Sequence, residues 1–377
     1  MAKPCDLQTV LNSGLAHYRQ NHGLSPMQVK VCGHIAACRT EAMGGCNRRC
    51  DQCGYQAPHY HSCRDRHCPK CQSRACDAWC DKQLHAVLPV TYYHLVFTLP
   101  HDLNAWVQLH PEVIYRRLFQ AVWNTLKTFA ADPKRLDGQL GMTAVLHTWG
   151  QTLSQHVHLH CLVPGGALGQ DGQWHPAKSN YLFPVLALSR YFRGKMVTLL
   201  RESHNQGELH RVTHPGEIDA LLNTLMKTDW VVYSKHCLTH TRSIVAYLAR
   251  YSHRTAIGDQ RLTGVEDGQV QFRYQDYRTG KHRILSLDSD EFIRRFLLHV
   301  LPQGFMRIRH YGFLANCCRQ VRLEQIRTVL EQPDETVDKA GEITSNPAPV
   351  ESMTCPKCRR GHWVSIDTIA PKRLTEG

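Results

Sequence analysis

The chain has 377 residues, enough for a full hydrophobic core and two or three units. Lys and Arg outnumber Asp and Glu by 45 to 32, giving a formal charge of +13 and a pI near 9.1, a balance that favours polyanionic partners. No apolar run approaches the roughly twenty residues of a membrane span, and the polar Met-Ala-Lys-Pro start lacks a signal-peptide core, so the chain reads as cytoplasmic with no membrane partner.

Residues 1–30 carry an apolar stripe of Val10, Leu11, Leu15 and Tyr18 and read as a helical prologue. Residues 31–81 hold most of the 17 cysteines, interleaved with histidines. In a cytosolic chain that pattern predicts zinc ligands rather than disulfides. The cluster parses into short pairs: His34-x3-Cys38, Cys50-x2-Cys53, Cys63-x3-His67 and Cys68-x2-Cys71. A tight turn aims two ligands at one ion and a second pair completes the tetrahedron, so these pairs suffice for about two structural Zn²⁺. A cross-braced reading assigns Cys50, Cys53, Cys68 and Cys71 to one site and His34, Cys38, Cys63 and His67 to the other. Cys32, Cys46, His59, His61, Cys76 and Cys80 could substitute in the second. Arginines among the ligands, Arg64 and Arg66 included, suit a grip on phosphate backbone.

Residues 82–331 read as the main domain. Tyr92 to Thr98 is its first strand, and Pro111 to Ala131 is a core-facing helix. Thr143 to Thr148 and His156 to His160 form a hairpin around a polar loop. In the second arm histidine alternates with Val157 and Leu159, so His156, His158 and His160 project from one face while the aliphatic residues enter the core. His147 stands across from that row. Imidazoles gathered on one sheet face are suited to holding a metal. Tyr181 to Leu200 and Ile218 to Met226 read as helices, and Asp229 to Cys237 as a strand.

Arg242 to Thr255 reads as a helix capped by Ser243, with Tyr247 and Tyr251 one turn apart on one face. By itself that spacing is ordinary packing. Arg242, Arg250, His253 and Arg254 add a positive field, and beside a metal-bound phosphate such a field favours the phenolate of a tyrosine whose ordinary pKa is about 10. A meander follows, with strands over Gln269 to Tyr274 and His282 to Leu287. After it come a helix over Ser289 to Leu301 and a basic strand over Phe305 to Tyr311. Residues 332–377 read as a polar linker and a tail whose Cys355-x2-Cys358 is half a zinc knuckle. His362, Cys317 or Cys318 are the candidates to complete it.

The ordered set resembles the double-tyrosine rolling-circle transposases of the HUH endonuclease superfamily, in the insertion sequence 91 family. The resemblance rests on CDQCGYQAPHYHSCRDRHCPKCQ, HVHLHCLVPGG, YLARYSHR and RIRHYGFLAN, and covers residues 31–316. It implies an α+β fold in which a small zinc-binding module precedes a catalytic domain built on a central antiparallel sheet flanked by helices. It places His158 and His160 on the metal pair and Tyr247 and Tyr251 on the nucleophiles. For the third ligand it leaves His147, by spacing, and His156, within the row. It further implies a catalytic Mg²⁺ or Mn²⁺, single-stranded DNA of transposon ends and target as partner, with Arg64, Arg66, Arg250 and Arg254 on phosphates. No nucleotide cofactor is expected, and a bacterial, nucleoid-associated location is. A plasmid relaxase or replication initiator, or a zinc-dependent regulator without catalysis, are the rival readings.

Overall fold

The computed structural model describes residues 5–72, 87–177, 181–212, 216–237, 255–276, 278–331 and 354–372. The helix expected over Arg242 to Thr255, with Tyr247, Arg250, Tyr251 and Arg254, lies outside the described residues apart from Thr255, as do Cys76, Cys80 and the linker 332–353.

Helix α1 (Leu7–Asn21) is capped by Asp6, which accepts the Thr9 amide. Helix α2 (Pro26–Ala37) opens with a Ser25–Gln28 capping box and a proline in its first turn. Strands β1 (Gly45–Cys50) and β2 (Gln56–Tyr60) follow. The main domain then runs β3 (Tyr92–Thr98), α3 (Asn104–Leu109), α4 (Pro111–Ala130), β4 (Gly141–Trp149) and β5 (Gln155–Pro164). After a small hairpin of β6 (Gly166–Leu168) and β7 (Trp174–Pro176) come α5 (Val185–Asn205), α6 (Glu217–Lys227) and β8 (Val232–Cys237). A meander of β9 (Leu262–Glu266), β10 (Gln269–Gln275) and β11 (His282–Asp288) leads into α7 (Ser289–Leu297). The described chain closes with β12 (Ile308–Gly312), α8 (Arg319–Glu331) and β13 (Trp363–Ile369).

The central sheet has the order β12-β4-β5-β3-β8 and is antiparallel throughout. Its register sorts the side chains. Leu95, Phe97, Leu146, Leu159, Cys161 and Val163 share the face that packs on α4 and α5, where Phe97 meets Phe192 edge-on at 5.1 Å. The opposite face carries His94, His147, His158 and His160, because His158 pairs with both His147 and Thr98, and His160 with Val96 and Val145. The α+β architecture read from the sequence is therefore present, an antiparallel sheet flanked by helices.

A second core joins α1 and α2 to the meander and α7 through Leu11, Ile35, Phe272, Phe292 and Ile293. Helices α1 and α7 approach closely at Gly14, where an added Cβ would lie 3.0 Å from the Ile293 methyl. The third sheet was not read from the sequence. Its order is β13-β1-β2, so the C-terminal tail enters the N-terminal cysteine module as a strand.

Candidate metal centres

Ligand nitrogens of His147, His158 and His160 lie within 4.8 Å of one another, on two neighbouring strands. His147 is 3% exposed and His158 is 9% exposed. The Nε2 atoms of His158 and His160 are 3.1 Å apart. Two nitrogens about 2.0–2.1 Å from one ion are separated by roughly 2.9–3.4 Å for angles between octahedral and tetrahedral, so the pair fits a shared ion. Nδ1 of His158 faces the His156 carbonyl at 2.8 Å, which must accept, so the proton sits on Nδ1 and the Nε2 lone pair faces the site. Nδ1 of His160 lies 2.9 Å from Nε2 of His94, and donation to His94 likewise frees Nε2 of His160. Two lone pairs aimed at each other across 3.1 Å repel unless a cation lies between them.

His94 is buried on β3 opposite Lys235, and burial, reinforced by that ammonium, lowers its pKa to about 4. It stays neutral and can accept. His147 stacks on Trp149 at 4.6 Å. His156, the in-row alternative, is not in the ligand cluster. The β4–β5 register shifts between His147 and Trp149, so His156 has no direct partner on β4, and its ring sits 5.5 Å from His101.

The cysteine sites group differently from the cross-braced expectation. Cys38, Cys63, Cys68 and Cys71 form one cluster, with Sγ separations of 3.6 Å for Cys38–Cys71 and Cys63–Cys71 and 3.7 Å for Cys38–Cys68. A zinc–sulfur bond of about 2.3 Å gives a tetrahedral edge of about 3.8 Å, so these spacings fit one Zn²⁺. The amides of Cys63 and Asp65 point at ligand sulfurs, both at 3.5 Å.

His34 and His67, assigned to zinc from spacing, are instead both engaged by Asp65, at 3.0 and 2.9 Å. Nε2 of His67 also accepts the Leu301 amide, so neither ring nitrogen of His67 is left for a metal. Burial pushes the Asp65 carboxyl up, but hydrogen bonds from His67 and His34 prevail and hold it at about 2.

Cys50 and Cys53 take their partners from the tail. Cys50 Sγ lies 3.6 Å from Cys358 and Cys53 Sγ 3.7 Å from Cys355, spacings that fit a second Zn²⁺. The two knuckles match. Gly54 and Arg359, each just past the second cysteine of its pair, have φ of 69° and 56°, and each amide bonds back to the first cysteine's carbonyl. The amides of Cys53 and Gly361 point at Cys50 and Cys358 sulfurs at 3.4 and 3.3 Å. A Cβ on Gly361 would fall 2.3 Å from Cys50 Sγ, so only glycine fits there. Asp51 clasps the tail, its amide donating to the His362 carbonyl and its carboxylate accepting the His362 amide. The half-knuckle thus needs neither His362 nor Cys317 and Cys318, and the two four-cysteine clusters suit the expected number of about two zinc ions with changed ligands.

Arg66 is also reassigned. Its guanidinium bonds the Pro302 and Phe305 carbonyls and fixes the module to the main domain, which removes it from the phosphate-gripping surface. Arg64 is exposed. Among the described residues no helix is long and apolar enough to cross a membrane.

Comparison with known proteins adds two family models. One described as "Transposase zinc-binding domain" matches residues 10–99, and one described as "Putative transposase" matches residues 141–321. The chain is 41% identical to "Putative transposase y4qJ" of Sinorhizobium fredii (strain NBRC 101917 / NGR234), covering 94% of this chain and 92% of the relative. It is 30% identical to "Transposase for insertion sequence element IS801" of Pseudomonas savastanoi pv. phaseolicola, covering 81% and 74%. No solved structure matches.

Proposed function

Because the chain belongs to the insertion sequence 91 family of transposases, we propose that it nicks and rejoins single-stranded DNA at element ends through 5′-phosphotyrosine intermediates, in rolling-circle fashion. Transposase activity makes DNA the partner. The finer reading is carried by one observation, the convergence of His147, His158 and His160 on a single face of the antiparallel sheet.

Those three imidazoles would hold a divalent ion, Mg²⁺ or Mn²⁺. When bound, the ion supplies Lewis acidity at the scissile phosphate. The protein's own part is arrangement. The His156 carbonyl and His94 fix which nitrogen of His158 and of His160 faces the site, and Trp149 backs His147. Tyr247 and Tyr251 are assigned as nucleophiles. The tyrosine oxygen bonds to phosphorus, the bond from phosphorus to the 3′ oxygen breaks, and that oxygen leaves as a 3′-hydroxyl with a proton. The phosphotyrosine keeps the bond energy for rejoining, so no nucleotide is consumed. With two tyrosines, one can hold the donor end while the other cleaves the target.

Full-length protein incubated with single-stranded element ends and Mn²⁺ should give a denaturation-resistant protein–DNA adduct mapping to residues 242–255. The double Tyr247→Phe/Tyr251→Phe variant should give none. An adduct on a peptide elsewhere would overturn the assignment.

A further inference from the structure

We propose that the ribbon formed by β1, β2 and β13 is a single-strand contact, on which unpaired bases stack against Tyr55 and Trp363 while Lys357, Arg359 and Arg360 meet phosphates. This takes its partner from the transposase reading and adds a surface that the C-terminal tail completes.

Three residues form a row across the ribbon. Trp363 pairs with Cys50 across β13 and β1, and the Cys50 amide donates to the Tyr55 carbonyl at 2.8 Å. The Tyr55 and Trp363 rings lie 5.9 Å apart at 52°, and neither enters a hydrophobic core cluster. Tyr55 is 38% exposed. Arg48 precedes Cys50 by two residues, on the same face. The Lys357 ammonium stands over one face of the Tyr55 ring, 5.5 Å from its centroid, which leaves the other face for a base, and Arg359 and Arg360 are exposed on the same knuckle. Within the described residues no carboxylate pairs with Lys357, Arg359 or Arg360.

Nothing among the described residues covers the strand that carries Trp363, since Val364 and Ile366 are 53% and 47% exposed. A zinc–tetrathiolate centre is anionic. Amide donors on its sulfurs and the neighbouring cations offset that charge and leave the rim positive. Side-by-side aromatic rings inside a basic rim are a stacking platform, and a duplex hides the base faces that such a platform uses.

The test uses full-length, zinc-loaded protein without added Mg²⁺ or Mn²⁺, so that binding is read apart from cleavage. Fluorescence anisotropy compares an oligothymidine of about 16 nucleotides with an abasic strand of equal length and with a duplex. The Tyr55→Leu/Trp363→Leu variant keeps apolar bulk but cannot stack. It should retain two zinc per chain by elemental analysis, bind the oligothymidine about tenfold or more weakly, and bind the abasic strand like the unsubstituted protein. The exposed pair Lys357→Gln/Arg360→Gln should lower the slope of log K against log salt by about 1.4, for two lost phosphate contacts. Unchanged oligothymidine affinity in the leucine variant, an equal loss on the abasic strand, or an unchanged salt slope would each overturn the ribbon assignment. Failure of the unsubstituted protein to bind any single strand would sink the transposase mechanism itself and not only the ribbon.

Discussion

At His94 the site uses a neutral imidazole where a metal-bound histidine often has a carboxylate partner. It accepts from His160 at 2.9 Å without adding negative charge, so an ion held by neutral ligands keeps its positive charge for a phosphate. His94→Ala should weaken Mn²⁺ binding by about 10–100-fold, followed by electron paramagnetic resonance of free Mn²⁺. His94→Gln should recover part of it, because an amide oxygen can also accept. Equal affinity in all three proteins would remove His94 from the arrangement. His158→Ala and His160→Ala should abolish cleavage while leaving strand binding largely intact, since binding draws on phosphate contacts across the basic surface. Full nicking by either variant at limiting Mn²⁺ would exclude that histidine.

His299 offers a test of a different kind. It is fully buried between the Thr148 hydroxyl and the Leu153 carbonyl, and burial lowers its pKa to about 4, against an unfolded value of about 6.5. Between those values the unfolded chain binds the proton and the folded chain does not. Stability therefore holds in full above pH 6.5 and falls as pH drops toward 4. His94 and His310, also lowered to about 4, act in the same direction. His299→Gln should reduce the pH slope of unfolding in that window by about one proton. An unaltered slope would mean that His299 is protonated in the folded protein.

Local elements were readable where their cause is local. The period-2 pattern of β3 and β5 and the 3.6-period stripe of α4 lie within the segments themselves. The structure places β3 and α4 at nearly the expected bounds and extends β5 through the apolar run to Pro164. What the sequence hid were choices among equivalent partners. Three pairs share the Cys-x2-Cys spacing, and nothing local says that Cys50–Cys53 joins Cys355–Cys358 rather than Cys68–Cys71. His94 is a lone histidine in an apolar strand, and only the pairing of β3 with β5 reveals its neighbour. The conformation around Gly361 is where this long-range choice can be probed. Gly361→Ala would drive a methyl into Cys50 Sγ, so the purified variant should carry about one zinc per chain, with the Cys38 cluster still loaded. Two zinc per chain would show that the knuckle tolerates the methyl.

Across the whole molecule, the second cysteine cluster bridges residues 302 positions apart, Cys53 and Cys355. Closing so long a loop restricts the unfolded chain more than any short knuckle does, by roughly 6 kcal/mol if a metal clip acts like a disulfide. A chain stopped after residue 353 should lose one of its two zinc ions and the β13 pairing, yet keep the histidine site and its Mn²⁺ affinity. Loss of both functions together would show that the tail supports the catalytic sheet as well. The order of synthesis gives this clasp a further meaning. The first cysteine pair leaves the ribosome early and waits, unmatched, while some three hundred residues are made. Only a chain translated through Cys358 can finish its ribbon, so by the ribbon proposal prematurely ended chains would emerge with the histidines in place but without that strand contact.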